Sequence, residues 1–410
     1  MPEHTTCRVC SSVLPAPFLD LGAMPLANSF LTSPEEFPGE ARYPLAVAAC
    51  LTCHLVQLTY VVPAELLYRD YIYVSATSEA VRAHADWIAA KSVARYGWDR
   101  NSLIVEVASN DGTVLKAFQR LGVRVLGVEP ARNIARIAEA DGVPTVGEFF
   151  CEATARSLRA AHGEAAAIVG RHVFAHVDDL HDFLRGIDLL LAPDGVVIIE
   201  VPYLGDLLEK LEFDTIYHEH LSYFSLAPVR RLAAMHGLAL VDVERVALHG
   251  GSMILSLRRT SRDEPSSERL ARMLQEEETR ALGSPATFAS FASGVARWKD
   301  GFEAFVDELA RGDVRLAGYG AAAKASTLLN YCPEVAGRLR HILDRSPHKQ
   351  GRYTPGTHLR VEPADAWERD GTTHLLILAW NFKDEIMRQL SPFAERGGRF
   401  VIPIPKPEVV

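Results

Sequence analysis

The sequence predicts an α/β protein built around a doubly wound parallel sheet, with a small unit before it and a shorter α/β unit after it. Three observations carry this. From Leu103 onward short apolar strands alternate with helical stretches, as in a parallel sheet covered on both faces. Ahead of that rhythm stand two Cys-x-x-Cys pairs, Cys7-Arg-Val-Cys10 and Cys50-Leu-Thr-Cys53. A second, shorter alternation begins at Val314.

The paired cysteines suit one tetrahedral Zn²⁺ held by Cys7, Cys10, Cys50 and Cys53. Four thiolates leave no open coordination position, so such a site is structural. Coincidental pairs or redox dithiols are the plainer readings, and only Cys151 and Cys332 lie elsewhere. The surrounding stretch is rich in Pro and turn signals, such as Pro15-Ala-Pro17, and excludes long helices. We expect it to lack a large core and to rely on the metal. Tyr68, Tyr71 and Tyr73 follow, and become functional only if they fold over a site.

The bulk composition narrows the class. The chain has 410 residues, 48% hydrophobic and 23% charged, long enough for two or three domains. Its formal charge of −9 argues against nucleic-acid binding. No apolar run reaches the roughly 18 residues of a membrane span. Met1-Pro-Glu-His-Thr-Thr has no basic or apolar leader region, so the expected location is the cytoplasm.

A helix is expected over 78–95. The middle strands are then Leu103–Val107, 124–128, 143–146, 166–169 and 196–201, with helices over 113–121, 131–140 and 178–191. Leu238–Val246 and 252–258 lie close together, as a closing antiparallel pair. Charged, helix-period patterning over 264–311 predicts a helical connection. The second alternation has strands at 314–319, 341–343, 374–380 and a final one at 400–403, with a helix from Ala321.

The turn after the first strand reads Glu106-Val-Ala108-Ser-Asn110-Asp111-Gly112. Asn110 and Asp111 suit a helix cap, and Gly112 suits a tight turn. Glu129, followed by Pro130, ends the second strand, where a carboxylate can accept hydrogen bonds from both ribose hydroxyls. Together they predict a nucleoside cofactor. NAD proteins usually show Gly-x-Gly-x-x-Gly here, which is absent. The terminal antiparallel pair resembles class I methyltransferases, which use S-adenosylmethionine (SAM). Ala108 stands where that family usually has Gly. Ala does not favour positive φ, so we expect the loop to differ slightly, or that position not to use glycine's freedom.

Tyr217-His218-Glu219-His220 follows the fifth strand, and His176 follows the fourth. Loops after parallel strands gather at the carboxyl edge, where such sheets bind ligands. Titratable groups this dense suggest acid–base chemistry. The His spacing differs from His-Glu-x-x-His, which disfavours a metal. His172 reads as structural. Tyr203 ends the fifth strand, and His249-Gly-Gly-Ser252 precedes the last strand of this unit, where a hairpin turn is the plainer reading of the glycines. In the last unit Gly318-Tyr319-Gly-Ala-Ala-Ala-Lys324 resembles a pyrophosphate-binding turn, and Lys349-Gln-Gly-Arg352-Tyr353 adds cations.

The whole chain resembles the sugar C-methyltransferases of antibiotic deoxysugar pathways. The resemblance rests on the paired cysteines, Ser-Asn-Asp-Gly112, Val-Phe-Ala-His176, Phe-Asp-Thr-Ile-Tyr217-His-Glu-His220, His249-Gly-Gly-Ser, Gly-Tyr-Gly-Ala-Ala-Ala-Lys324 and Lys349-Gln-Gly-Arg. It implies a zinc-binding domain (1–75), a SAM-dependent methyltransferase domain (76–262), and a helical connection with a Rossmann-like sugar-nucleotide domain (263–410). It implies a dTDP-linked 4-keto-6-deoxyhexose methylated beside the ketone, at C3 ahead of C5, by a monomer. His220 would be the base, with Tyr217, His176, Tyr73 and Glu219 around it. Tyr203, His249, Ser252, Tyr319, Lys324, Lys349, Arg352 and Tyr353 would hold substrate. The stretch before His176 carries Arg171-His172 where relatives often carry Asn. An O- or N-methyltransferase is the nearest alternative; a non-catalytic zinc scaffold is the alternative from another class.

Overall fold

Apolar runs bounded by turn residues become strands of three sheets in the computed structural model, which describes residues 4–68, 71, 75–247, 250–262 and 264–410. The middle sheet has seven strands. Their spatial order is Leu238–Val246, Ser252–Arg259, Leu191–Pro202, Ala165–Arg171, Leu103–Val107, Arg124–Val128, Thr145–Val146. The five strands from Thr145–Val146 across to Leu191–Pro202 are parallel, and Ser252–Arg259 runs antiparallel to both neighbours. This is the class I methyltransferase order. The chain reverses its direction of travel across the sheet beside Leu103–Val107, so a crevice opens there at the carboxyl edge.

Leu103–Val107 is buried throughout because helices cover both faces. One of them, Thr113–Arg120, buries Val114, Leu115, Ala117 and Phe118 on a single stripe and leaves Arg120 outside it. Another, Glu79–Tyr96, starts at Ser78, whose hydroxyl accepts the Val81 N–H, and stops at Gly97 with φ of 68°.

The N-terminal segment departs from expectation. It holds strands Leu19–Met24, Tyr43–Ala49 and Val56–Leu58, with Leu45, Val47, Leu55 and Leu58 buried. Its fourth strand, Ser222–Tyr223, comes from far along the chain, just after His220. A three-residue strand completed by so distant a partner leaves little local pattern to read.

The last sheet is ordered Val361–Pro363, Ile342–Asp344, Leu316–Tyr319, His374–Ile377, Arg399–Ile402, Glu408–Val409. Its first five strands are parallel. The final strand is Glu408–Val409, an antiparallel edge, and not the run at 400–403. Helices Glu268–Thr279 and Pro285–Leu309 connect it to the middle sheet. Its helix Ala323–Tyr331 packs on the Phe213–Thr215 turn: Thr327 donates to the Ile216 carbonyl at 3.0 Å, and Trp380 Nε1 donates to Asp214 at 2.7 Å. This contact carries the last sheet to the start of the Tyr217–His220 loop.

Candidate active site

One cavity of about 490 Å³ opens at the carboxyl edge of the middle sheet and is walled by all three parts of the chain. Asn28, Tyr68 and Tyr71 come from the N-terminal part. Glu106, Ala108, Asn110, Glu129, Pro130, Arg171, His176, Tyr217 and His220 come from the middle. Lys324, Lys349 and Phe382 come from the last part.

The loop after the first strand bends back sharply. Ala108, Asn110 and Gly112 all have positive φ, of 54°, 51° and 75°. Ala108 thus adopts the left-handed conformation, correcting the expectation from its identity, at roughly 1–2 kcal/mol. Glu129 holds the loop in place. Its carboxylate accepts the Asn110 N–H at 2.8 Å and the Ala131 N–H at 2.8 Å. Asp111 faces away from the cavity, accepting the Ala76 N–H at 2.9 Å and capping the helix at Thr113. Glu106 leaves Oε2 buried without a hydrogen-bond partner among the described residues. Burial pushes the Glu106 carboxyl well above the carboxylate range, with Arg171 opposing. An orphaned acceptor beside an oriented carboxylate, both opening on the cavity, fits the amino-acid and ribose ends of SAM.

The reactive loop sets its own tautomers. His220 Nδ1 lies 2.8 Å from the Thr215 carbonyl, which can only accept, so Nδ1 carries the proton. Nε2 keeps its lone pair and faces the Tyr217 hydroxyl at 2.9 Å. Burial lowers the His220 pKa to about 3, against the Thr215 bond and with His172 and Lys324 adding to the shift. Beside it, ring centroids 4.9 Å apart, lies His176. Tyr68 donates to the Glu219 carbonyl at 3.1 Å, so it accepts from His176 Nδ1 at 2.8 Å, and His176 Nε2 is unprotonated. Burial, with His220 and His172, holds the His176 pKa well below the usual imidazole value. Behind these groups the Glu219 carboxylate accepts from Asn28 at 2.6 Å and Tyr71 at 2.8 Å. Burial raises its pKa.

Two cations close the far wall. Lys324 Nζ is buried 4.4 Å from the Trp380 ring centroid and has no hydrogen-bond partner among the described residues. Lys349 donates to the Ala321 carbonyl at 2.7 Å. Burial lowers the Lys349 pKa, against Asp344 and Glu219. Arg171 on the cavity wall pairs with Glu200 at 2.8 Å, and Glu200 also pairs with His84 at 2.9 Å. Burial alone would raise the Glu200 pKa, but Arg171, with His172 and His84, holds it well below the carboxylate range.

The cysteines converge. Cys7 and Cys53 sulfurs lie 3.4 Å apart, Cys10 and Cys50 sulfurs 3.5 Å, and all four within 4.8 Å of one another. Tetrahedral Zn–S bonds of about 2.3 Å imply sulfurs roughly 3.8 Å apart, so the residues fit the ion. The Val9 and Thr52 N–H groups each approach a ligand sulfur at 3.4 Å, as expected for two knuckles.

Three family models match in sequence: a zinc binding domain over residues 7–68, a methyltransferase domain over 82–243, and a C-methyltransferase C-terminal domain over 247–405. The C-methyltransferase NovU of Streptomyces niveus is 36% identical over 408 residues, covering 98% of this chain and 96% of that one. The chain belongs to the C-methyltransferase family. It is a SAM-dependent methyltransferase with a structural zinc site. An uncharacterized methyltransferase of Alkaliphilus oremlandii is 26% identical over 131 residues, 29% of this chain and 57% of that one. Among solved structures, the SAH-bound magnesium protoporphyrin IX methyltransferase of Synechocystis PCC 6803 is 14% identical, with TM-score 0.34, covering 43% of this chain and 82% of that one.

In this C-methyltransferase the cavity gathers His220, Tyr217, His176, Glu106, Ala108, Asn110, Glu129, Pro130, Lys324 and Lys349. Other expected contacts lie elsewhere. Gly112 and Asp111 shape the turn without lining the cavity, and Glu219 stands one layer behind it. Tyr203 is 1% exposed and borders only a small void beneath His220. Tyr319 belongs to the core of the last sheet, with Leu343 and Trp367. Ser252 is buried opposite Pro202 at the start of a strand. Arg352 and Tyr353 lie off the cavity because their loop docks on the N-terminal part through the Leu31–Tyr353 bridge and through Glu40, which accepts the Gly356 N–H at 2.8 Å. Tyr73 and His249 lie outside the described residues. Among the described residues the four cysteines form the group that converges as metal ligands.

Sequence reasoning left out Asn28 and Arg171 as site residues, and it made Tyr68 and Tyr71 functional only on the condition that they fold over a site, which both do by lining the cavity. The clustered phenols were the available signal. Nothing local marks Asn28, whose role depends on a contact with Glu219 from the other side of the cavity.

Proposed function

We propose that this C-methyltransferase acts on a dTDP-linked 4-keto-deoxysugar at the carbon α to the ketone, C3 in preference to C5, in antibiotic deoxysugar biosynthesis. One observation carries the reading: a single cavity joins the SAM loop at Glu129 to the Tyr217–His220 pair and to Lys324 and Lys349. Carbon beside a ketone becomes nucleophilic only when its proton is removed, so the site needs a base and a stabiliser for the enolate oxygen.

His220 Nε2 is the base in this reading. Its lone pair is already directed into the cavity because Thr215 occupies Nδ1. The α C–H proton passes to Nε2, the C–H electron pair becomes the new C=C bond, and the carbonyl π pair moves to oxygen to give the enolate. The imidazolium and the enolate then form side by side in a dry site, where their attraction is strong and offsets the low basicity of the buried ring. Tyr217 gives up its bond to His220 and turns its hydroxyl to the substrate, and His176 orients the sugar. Asn28 and Tyr71 hold Glu219, which fixes the backbone of the reactive loop. Lys324 and Lys349 supply positive charge for the diphosphate. When bound, SAM supplies the methyl group that the enolate carbon accepts. We place the working units at 1–75, 76–262 and 263–410, the first completed by Ser222–Tyr223.

The test is incubation with SAM and dTDP-4-keto-6-deoxyglucose, followed by NMR of the product. A new methyl carbon bonded at C3 supports the reading. A methyl bonded to oxygen, or no transfer to any dTDP-4-keto sugar, sinks it.

A further inference from the structure

Arg8 sits between the zinc ligands Cys7 and Cys10, yet its guanidinium hydrogen-bonds to groups outside the knuckle. The side chain is 2% exposed. Nε donates to Asp178 at 3.0 Å. Nη1 donates to the carbonyls of Leu58 at 3.1 Å and Leu221 at 3.3 Å. These partners are not scattered. Leu221 follows His220, and Asp178 lies two residues beyond His176 on the cavity wall. The Leu221 N–H donates to the Ala175 carbonyl at 2.7 Å, joining the two histidine loops directly. The Leu221 carbonyl also accepts the Leu58 N–H at 3.0 Å, at the end of an N-terminal strand. Gln57, on that strand, grips the knuckle from behind: it accepts the Arg8 N–H at 2.9 Å and donates to the Thr6 carbonyl at 3.1 Å.

We infer that Arg8 is a positioning residue that ties the zinc knuckle to the two histidine loops and sets the relative placement of His176 and His220. A charged fork is suited to this. It spans three acceptors on separate segments in one plane, which lysine cannot do. Burying a guanidinium costs free energy, and leaving Nη2 without a hydrogen bond among the described residues adds to that cost. A structural knuckle alone has no need of such a group, since the four thiolates already close it. The zinc site thereby acts on the chemistry at a distance, through a rigid element whose misplacement by about 1 Å would cost up to 10²-fold in rate.

This inference rests on His176 and His220 being the reactive pair, so its test includes a readout independent of turnover. Arg8→Lys and Arg8→Met are prepared in the full chain and compared with Asp178→Asn, which leaves the knuckle untouched. Metal content, SAM affinity, kcat and KM are measured, together with ¹⁵N spectra of histidine-labelled protein. We expect full zinc content and SAM affinity within about twofold for both Arg8 variants. We expect kcat to fall about tenfold to a hundredfold with KM little changed, Asp178→Asn to show a smaller loss, and the double variant Arg8→Met/Asp178→Asn to be no worse than Arg8→Met. The His176 and His220 imidazole signals should move while those of His84 stay. Unmoved His176 and His220 signals with zinc retained, or kcat within twofold of the parent, overturn the inference. So does a loss of kcat that appears only in step with lost zinc. Moved signals in an enzyme whose His220→Asn variant stays active would instead uphold the positioning role and overturn the choice of base.

Discussion

Tyr217 donates its phenolic proton to His220 Nε2 across 2.9 Å, so the one imidazole nitrogen left with a lone pair is occupied by a neighbour three residues away. The partner on the other side of the ring, Thr215, leaves Nε2 as the nitrogen that can receive a proton. Any proton taken up at Nε2 therefore requires the Tyr217 bond to open first.

Under the proposed function, removing the His220 imidazole should separate two steps. His220→Asn should lose about 10²–10⁴-fold in methyl transfer while retaining both ligands. In deuterated water with an inert SAM analogue, the parent should wash deuterium into the α-carbon and the variant should not. Wash-in by the variant at the parent's rate would transfer the base role to Tyr217 or His176.

The His220 pKa of about 3 has a sign that can be checked. It lies below the value of about 6.5 in an unfolded chain. Between the two, the unfolded state binds the extra proton, so this group's contribution makes stability fall as pH drops from about 6.5 toward 3. Histidine-resolved NMR should show the His220 ring neutral from about pH 8 down to pH 5. A midpoint near 6.5 for that resonance refutes the burial argument.

Glu129 orients the cofactor loop and opens on the cavity, so Glu129→Ala should weaken SAM binding and leave the sheet intact. Loss of one charged hydrogen-bonding group predicts about 1.5–3 kcal/mol, read by calorimetry. Unchanged affinity with an unchanged circular dichroism spectrum would exclude Glu129 from the ribose site.

Tyr68 fixes the His176 tautomer through a bond of 2.8 Å. Tyr68→Phe deletes that hydroxyl alone, and we expect a fall in kcat equivalent to about 0.5–1.5 kcal/mol, with SAM affinity preserved. A variant as fast as the parent would show that the His176 tautomer does not limit the reaction.

Purified protein should contain one zinc per chain, and Cys53→Ser should lower the melting temperature, since binding of a structural metal contributes folding energy. Metal analysis and thermal unfolding test this together. Folded, metal-free protein with the parent's melting temperature would remove zinc from the account.

Much of the molecule was legible because its signals are local. Each Cys-x-x-Cys pair, the apolar strand Leu103–Val107 with its capped turn, and the acid that ends the second strand at Glu129 can be recognised from a few neighbouring residues. Period and turn chemistry were therefore enough for the doubly wound sheet and its antiparallel closing pair. What only the tertiary structure decided depends on contacts between distant segments. Ser222–Tyr223 completes an N-terminal sheet, Asn28 reaches Glu219, and Tyr68 reaches His176. Tyr319 and Tyr203 read as site residues from their neighbours in sequence, but strand pleat and burial turned them into core. Arg352 and Tyr353 went to an interface because the Lys349 loop finds Leu31 and Glu40 before it finds the cavity. A motif names the residue types present in a loop. The direction each side chain faces follows from register and packing, which are properties of the whole chain.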